Sequence, residues 1–343
     1  MQAIMKMSHE VGDVVLNEVK EPKTSDDMVK VKIKYCGICG TDIHIYHDTF
    51  KYYPPVIMGH EGSGDIVETG RNIRHLKVGD RVALLGSTMI QCGECEYCRS
   101  GKYMFCPARR GMGHGVDGMF TEYVVVREDQ CYVLPDDVSY EMGALMEAFG
   151  TAANAVEELT TIHAGDVALV TGPGPIGLMC AGLLVKKGCY VIVAGTQSDI
   201  NRLNIAKRLG VQRTINLQTE DMGSVINGIT GFKGVDVAFE ASGNADAIAS
   251  CLASLKKLGS YIQTGITGKD RVGIPFDTIL YKQLSVFGAL GHTLETWDRM
   301  VQIYRRRLLD LEPLVTHKMP FSQWRKAFEL CENKQALKVL LHP

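Results

Sequence analysis

The stretch Gly172-Pro173-Gly174-Pro175-Ile176-Gly177 limits what this chain can fold into more than any other segment. It has the spacing G-x-G-x-x-G. A strand-like apolar run at residues 166–171 precedes it and a helix-like run at residues 178–187 follows, the context in which a pyrophosphate lies on a helix N-terminus. Strand-like and helix-like runs then alternate, which predicts a doubly wound parallel sheet. We expect five loop residues to contact a dinucleotide: Gly172, Gly174, Pro175, Ile176 and Gly177.

The next strand-like run, residues 190–194, ends at Gly195, where NAD-binding proteins usually place an acid against the adenosine ribose. Gly195 has no side chain. The hydroxyls of Thr196 and Ser198, followed by Arg202, suit a 2′-phosphate and favour NADP over NAD. NAD stays an alternative, because Asp199 could reach the ribose if the loop folds back. Thr196, Ser198 and Arg202 are therefore expected to contact the cofactor, and we expect the same of Lys338.

A second motif lies near the N-terminus. Cys39 is followed by Thr41 and His44, and the pair His60 and Glu61 comes about twenty residues later. Sulfur and imidazole nitrogen together suit zinc, and a set completed by a carboxylate and water is typical of catalytic zinc. Each residue alone is more often an ordinary buried cysteine, core histidine or solvated acid. The combination predicts a catalytic metal site.

Four cysteines follow with the spacing C-x2-C-x2-C-x7-C: Cys92, Cys95, Cys98 and Cys106. Four thiolates at this spacing can close one tetrahedral zinc site and stabilise a lobe with little apolar content. Disulfides and an iron–sulfur cluster are the alternatives. An odd total of eleven cysteines without a signal-peptide pattern favours reduced thiols.

The run at residues 140–149 reads as an apolar helix that carries one inward acid, Glu147. A buried carboxylate needs a partner, and a metal or its water would serve. A solvated helix position is the alternative.

Composition and charge argue against nucleic acid and anionic membranes as binding partners. The formal net charge is -2, with 45% hydrophobic and 22% charged residues, so the chain has no basic footprint for nucleic acid or an anionic membrane. The balanced charge around the four cysteines also argues against a nucleic-acid-binding zinc ribbon. No apolar run approaches the ~20 residues of a membrane span. We expect a cytoplasmic protein of two domains with a small-molecule substrate, no nucleic-acid partner and no membrane association.

In their order and separations, these motifs resemble the zinc-dependent medium-chain dehydrogenases, in particular the polyol dehydrogenase branch, along nearly the whole chain. The resemblance implies an α/β protein with a β-rich GroES-like catalytic domain at 1–153 and 291–343, including a structural-zinc lobe at about 90–108. A Rossmann domain at 154–290 completes it. It implies Cys39, His60 and Glu147 as catalytic zinc ligands, with Glu61 as an occasional ligand or nearby acid, a second zinc on the four cysteines, and a homodimer or homotetramer.

The activity implied is hydride transfer between a secondary alcohol and NAD(P), forming the ketone. The alcohol would be a polyol, diol or hydroxy acid, with or without a phosphate group. Thr41 is expected to take the alcohol proton and pass it through the cofactor ribose to His44. A dehydrogenase of L-threonine type is one alternative. A catalytically silent NAD(P)-binding sensor is another, although binding alone needs no proton path.

Overall fold

The computed structural model describes the whole chain, from Met1 to Pro343. The chain divides into two compact units. The first comprises Met1–Ala148, Thr293–Arg307 and Val315–Pro343, and the second comprises Phe149–His292 and Leu308–Leu314. The short segment Leu308–Leu314 differs from the predicted division, which assigns it to the catalytic domain. It packs with the second unit. Leu309 lies close against Gly182, where an added Cβ would be only 3.0 Å from Leu309 Cδ1.

The N-terminal part of the first unit is β-rich, as the family resemblance implies. Its strands are β1 (Gln2–Lys6), β2 (Val14–Glu18), β3 (Met28–Gly37), β4 (Val56–Ile57), β5 (Glu61–Thr69), β6 (Arg81–Leu85), β7 (Tyr123–Arg127) and β8 (Cys131–Val133). Its helices are α1 (Gly40–Tyr46), α2 (Glu96–Arg99), α3 (Tyr140–Ala144) and the beginning of α4 (Met146–Ala153).

The second unit alternates strands and helices. Its strands are β9 (Val167–Thr171), β10 (Tyr190–Gly195), β11 (Arg213–Asn216), β12 (Val235–Glu240), β13 (Leu255–Gln263) and β14 (Ser285–Gly288). Its helices are α5 (Pro175–Lys186), α6 (Ile200–Arg208), α7 (Met222–Thr230), α8 (Ala245–Ser254) and α9 (Asp277–Lys282). The strands form one parallel sheet in the order β11-β10-β9-β12-β13-β14. This is the predicted doubly wound arrangement.

The C-terminal part adds α10 (Leu294–Arg305), β15 (Val315–Pro320), α11 (Trp324–Glu332) and β16 (Lys338–His342) to the first unit. Strand β16 pairs antiparallel with β3, which also pairs with β5 and β7. The chain terminus therefore returns to the strand that leads into Cys39, and it brings Lys338 to that end of the sheet.

Strand β3 alternates apolar residues with lysines over residues 29–34, a pattern that predicts one solvent-facing side. Lys30 would lie on the wet face of a one-sided strand, but it is only 8% exposed. Its ammonium pairs with Glu21 at 3.0 Å and Glu68 at 2.8 Å. These two ion pairs offset the cost of burying the charge.

No helix of the chain is long and apolar enough to span a bilayer.

Candidate catalytic metal site

Cys39 stands at the junction of β3 and α1, where it is the N-cap residue of the helix. Asp42, fully buried in the first turn, fixes this junction: its Oδ2 accepts the N–H of Cys39 at 2.9 Å, and its Oδ1 accepts the N–H of Gly59 at 3.3 Å. Asp42 thus ties the helix start to the residue before His60. Gly59 has a φ of +85° and a Cβ there would lie 2.4 Å from Phe120, so glycine is required.

The ligand atoms of Cys39, His60 and Glu61 lie within 4.8 Å of one another. His60 is 9% exposed and Glu61 1%. The Nδ1 atom of His60 has no hydrogen-bond partner and lies 3.8 Å from Asp42 Oδ1. A sulfur, an imidazole and a carboxylate that converge in a buried position have the donor chemistry that zinc takes in catalytic sites.

The electrostatics of this group also fit a cation. Burial opposes the charged form of His60, but the negative charges of Cys39, Asp42 and Glu61 raise its pKa to about 10. Burial raises the pKa of Asp42 as well. The acidic groups around His60 therefore favour positive charge at this position, which a bound divalent ion would supply.

Lys338, at the start of β16, lies beside the ligand group. It is 2% exposed, pairs with Glu61 and donates to the carbonyl oxygen of Ile38 at 3.0 Å. The contact with a cofactor stays a prediction, and in this structure the ammonium is buried against a member of the ligand group. Gly37 makes room for the pair, since a Cβ at that position would lie 2.9 Å from Lys338 Cε and still closer to the Glu61 carboxylate.

Glu147 is buried, as an inward acid should be, at 7% exposure. It is not a member of the group formed by Cys39, His60 and Glu61. Its Oε2 instead accepts the N–H of Gly86 at 3.2 Å, and a Cβ at Gly86 would lie 2.1 Å from the His60 carbonyl oxygen. Glu147 therefore contacts the backbone of Gly86, which in turn lies against the backbone of His60.

The two predicted proton-transfer residues lie on α1. The Thr41 hydroxyl oxygen is 3.8 Å from Cys39 Sγ, so it adjoins the ligand group. His44 lies one turn further along, with its Nδ1 3.1 Å from the Thr49 hydroxyl. Neither side chain is fully buried. The helix thus places one hydroxyl beside the metal ligands and one imidazole nearer to solvent.

The four cysteines of the second cluster also converge, with all their sulfur atoms within 4.8 Å of one another. Cys92 Sγ lies 3.6 Å from that of Cys106 and 3.9 Å from that of Cys98, well beyond the ~2.05 Å of a disulfide bond. All eleven cysteines are free. Backbone N–H groups of Cys95 and Glu94 lower the pKa of Cys92 to about 6, whereas burial raises the pKa of Cys98 to about 12. The thiolate, the form that binds a metal, is thus favoured at Cys92.

The glycine-rich loop adopts the predicted strand-loop-helix form. Gly172 has a φ of +87°, and a Cβ there would lie 2.7 Å from the Ser242 nitrogen. A Cβ at Gly177 would lie 2.1 Å from the Gly172 carbonyl oxygen. Helix α5 starts at Pro175, three residues earlier than predicted, and Gly174 supplies no side-chain cap. Its first N–H groups therefore have no competing cap and can bind an anion.

The loop after β10 gives Asp199 a structural role. Its Oδ2 accepts the N–H of Thr196 at 3.1 Å and the Thr196 hydroxyl at 2.7 Å, while its Oδ1 lies 3.6 Å from Arg202. The hydroxyls of Thr196 and Ser198 are 2.8 Å apart. A Cβ at Gly195 would lie 2.9 Å from Pro173 Cγ. No larger residue fits at Gly195 without a shift, and the neighbouring acid is already occupied.

The sequence did not identify two residues of the site, Asp42 and His114. A sequence pattern could have indicated Asp42, because an acid at the third position of a helix is typical of a capping box. No sequence pattern indicates His114. Its ring centroid lies 6.4 Å from that of His60 and 5.4 Å from that of Phe50, and this proximity arises only when distant segments fold together.

Comparison with known proteins agrees with this geometry. Residues 25–136 match the family described as alcohol dehydrogenase GroES-like domain, and residues 175–306 match that described as zinc-binding dehydrogenase. The chain is 36% identical to a sorbitol dehydrogenase of Halalkalibacterium halodurans, covering 100% of this chain and 99% of the relative. It is 32% identical to a D-arabitol-phosphate dehydrogenase of Enterococcus avium, covering 99% and 97%.

The fold of this chain is also similar to that of a dehydrogenase whose crystal structure has been solved. The crystal structure of galactitol-1-phosphate dehydrogenase from Escherichia coli superimposes with a TM-score of 0.90 at 26% identity, covering 100% of both chains.

Proposed function

Because the chain belongs to the zinc-dependent medium-chain dehydrogenases and is an oxidoreductase of secondary alcohols with a nicotinamide cofactor, we propose that Cys39, His60 and Glu61 hold its catalytic zinc. The observation that carries this proposal is the convergence of their ligand atoms within 4.8 Å. Glu147, connected through Gly86, is proposed as the fourth ligand, reached by rotation of its side chain.

A bound zinc ion would supply Lewis acidity that makes an alcohol hydroxyl more acidic. The protein must then remove the proton. We propose that Thr41, beside Cys39, accepts it while releasing its own hydroxyl proton toward His44, and that the His44 imidazole exchanges a proton with solvent. The fully buried Asp42 orients Cys39 through its N–H and faces His60, and such supporting groups commonly set metal affinity.

We propose that the second cysteine cluster holds a structural zinc. The four sulfur atoms converge without disulfides, and a closed set of four thiolates leaves no position for substrate. Its effect is then on stability and not on chemistry.

We propose that NADP is preferred over NAD. Support comes from Gly195, where the nearby Pro173 leaves no room for an acid, and from Asp199, whose carboxylate is bonded to Thr196. The hydroxyls of Thr196 and Ser198 are suited to a phosphate. Comparing kcat/KM for NADP and NAD tests this, and a preference for NAD would contradict it.

We propose a polyol, free or phosphorylated, as substrate, because the relatives act on sorbitol, D-arabitol phosphate and galactitol 1-phosphate. The test is turnover of a panel of diols, polyols, polyol phosphates and L-threonine, with zinc-loaded and chelator-treated protein. Zinc-dependent oxidation of a polyol or its phosphate is expected. Cofactor binding without turnover of any alcohol would support a sensor instead.

We propose that the chain forms a homo-oligomer through the edge of its parallel sheet. Strand β14 has a neighbour on one side only. The apolar side chains on and beside it are exposed: Phe276 70%, Leu280 74%, Tyr281 77%, Val286 48% and Leu290 56%. Exposed apolar edges of this kind favour pairing with another chain. Light scattering should give a dimer or tetramer, and Val286→Lys should shift it toward monomer. A monomeric wild type would contradict the proposal.

A further inference from the structure

Two cations lie on the same aromatic ring in the first unit. The Arg110 guanidinium carbon is 4.3 Å from the centroid of the Tyr53 ring, and Lys51 Nζ is 5.7 Å from it. Tyr53 is 44% exposed and both cations are exposed. Neither Lys51 nor Arg110 forms an ion pair, in contrast to Lys30, which has two carboxylate partners. The group formed by Lys51, Tyr53 and Arg110 is named the cation group below.

The cation group adjoins the candidate metal site. The N–H of Tyr53 donates to the carbonyl oxygen of His114 at 2.9 Å. The His114 ring lies edge-on to His60, at 6.4 Å between centroids, and edge-on to Phe50, at 5.4 Å. His114 therefore contacts the ring of a metal ligand with its side chain and the backbone of Tyr53 with its carbonyl oxygen.

The neighbouring Arg109 has a different environment. It is half-buried, donates to the carbonyl oxygen of Ser87 at 2.8 Å, and interacts electrostatically with Glu147. Its charge is thus partly compensated inside the fold. Arg110 and Lys51 are the cations that remain open to a ligand from solution.

We propose that the cation group binds the terminal phosphate of the substrate, which makes the substrate a phosphorylated polyol. This inference rests on the proposed dehydrogenase function. Arginine binds phosphate oxygens with two parallel hydrogen bonds, and lysine adds a second positive charge. The Tyr53 ring holds both side chains near it by cation–π attraction before the ligand arrives. The reacting hydroxyl then lies near Cys39 and His60, with the carbon chain running along His114 and Phe50.

Two charges on the protein favour a phosphate dianion over a carboxylate. A hydroxy acid presents one negative charge and two oxygens, whereas a phosphate monoester presents nearly two charges and three oxygens at neutral pH. The ionic contacts are exposed, so their contribution should weaken as salt screens them.

The test compares three compounds of equal chain length, galactitol, galactitol 1-phosphate and galactonate, with D-arabitol and its phosphate as a second pair. The readout is the ratio of kcat/KM for the phosphorylated and free polyol, measured in the zinc-loaded wild type and in Arg110→Gln and Lys51→Gln. Arg74→Gln and Lys23→Gln serve as controls, because they remove the same charge from exposed positions of the first unit without ion pairs.

We expect the wild type to prefer a phosphorylated polyol over both the free polyol and galactonate. Arg110→Gln should lower the ratio about tenfold or more, Lys51→Gln should lower it less, and the controls should leave it unchanged. Raising the salt concentration should reduce the wild-type ratio.

Equal kcat/KM for free and phosphorylated polyols, or equal ratios in Arg110→Gln and Arg74→Gln, would overturn the phosphate subsite while the dehydrogenase function stands. Preference for galactonate would overturn it in favour of a carboxylate substrate. Absence of turnover with every alcohol would overturn the proposed function itself, and the phosphate subsite with it.

Discussion

The buried ion pair between Lys338 and Glu61 allows a quantitative test of how the ligand group is held. The two side chains are 2% and 1% exposed, and the ammonium also donates to the carbonyl oxygen of Ile38. In Lys338→Met the side chain keeps its length, but the Glu61 carboxylate stays buried without a partner. Removing one member of such a pair should lower the free energy of unfolding of chelator-treated protein by about 3–5 kcal/mol.

Two further comparisons distinguish the effect of the unpaired Glu61 carboxylate from a general loss of packing. Adding Glu61→Gln removes the stranded charge, so the double variant should recover most of the loss. Zinc should also neutralise Glu61, so zinc-loaded Lys338→Met should lose less than the chelated form. Urea unfolding with zinc and with chelator measures both. Lys30→Met is the control, because Lys30 is a buried, paired lysine outside the ligand group and its cost should not depend on zinc.

The pH dependence has a defined sign. Burial lowers the pKa of Lys338, but the charges of Glu61 and Cys39 outweigh this and raise it above its ordinary value. A lysine with a raised pKa stabilises the fold fully below its unfolded pKa of about 10.4 and loses this effect only as pH rises further. The lysine charge itself should therefore not change the difference between wild type and Lys338→Met from about pH 6 to 9. The difference should shrink toward low pH, because the stranded Glu61 carboxylate of the variant can take up a proton.

A loss below about 1 kcal/mol in chelated Lys338→Met, the size of one ordinary hydrogen bond, would refute this reasoning. Equal losses in the single and double variants would refute it too, because the stranded carboxylate would then not be the cause.

Three other predictions concern the two metal sites. Thr41→Ala should reduce kcat by ~100-fold or more while cofactor binding is unchanged, and Thr41→Ser should retain most of the rate; an unchanged rate in the alanine variant assigns the proton to another group. Asp42→Asn should weaken zinc binding by about 10–100-fold, measured by competition with a chelator, and unaltered affinity would deny Asp42 its supporting role. Replacing Cys95 and Cys106 with Ser should halve the zinc content and lower stability; altered substrate preference at full stability would argue against a structural zinc.

The parts of the site that follow from local sequence are the parts that could be predicted. Cys39 to His44 and Cys92 to Cys106 are each close along the chain, so their spacing alone indicates ligands. The G-x-G-x-x-G loop is recognisable because the strand before it and the helix after it have their own periodicity. In each case, a few neighbouring residues determine the geometry.

Long-range pairings explain the rest. Lys338 reaches Glu61 only because β16 pairs with β3, and no periodicity links residues so far apart. Lys30 is buried because Glu68 lies on the adjacent strand β5. Glu147 was correctly placed inside the fold, but its hydrogen bond to Gly86 depends on tertiary packing. The space beside Gly195 is closed by Pro173, which the sequence places 22 residues away.

We propose that one zinc ion, held by Cys39, His60 and Glu61, is essential to alcohol oxidation by this protein. Anomalous diffraction from crystals of active, zinc-loaded protein, recorded on both sides of the zinc absorption edge, locates that ion. We expect a zinc peak within bonding distance of Cys39 Sγ and an imidazole nitrogen of His60. Crystals of fully active protein with no anomalous peak at these residues would contradict it.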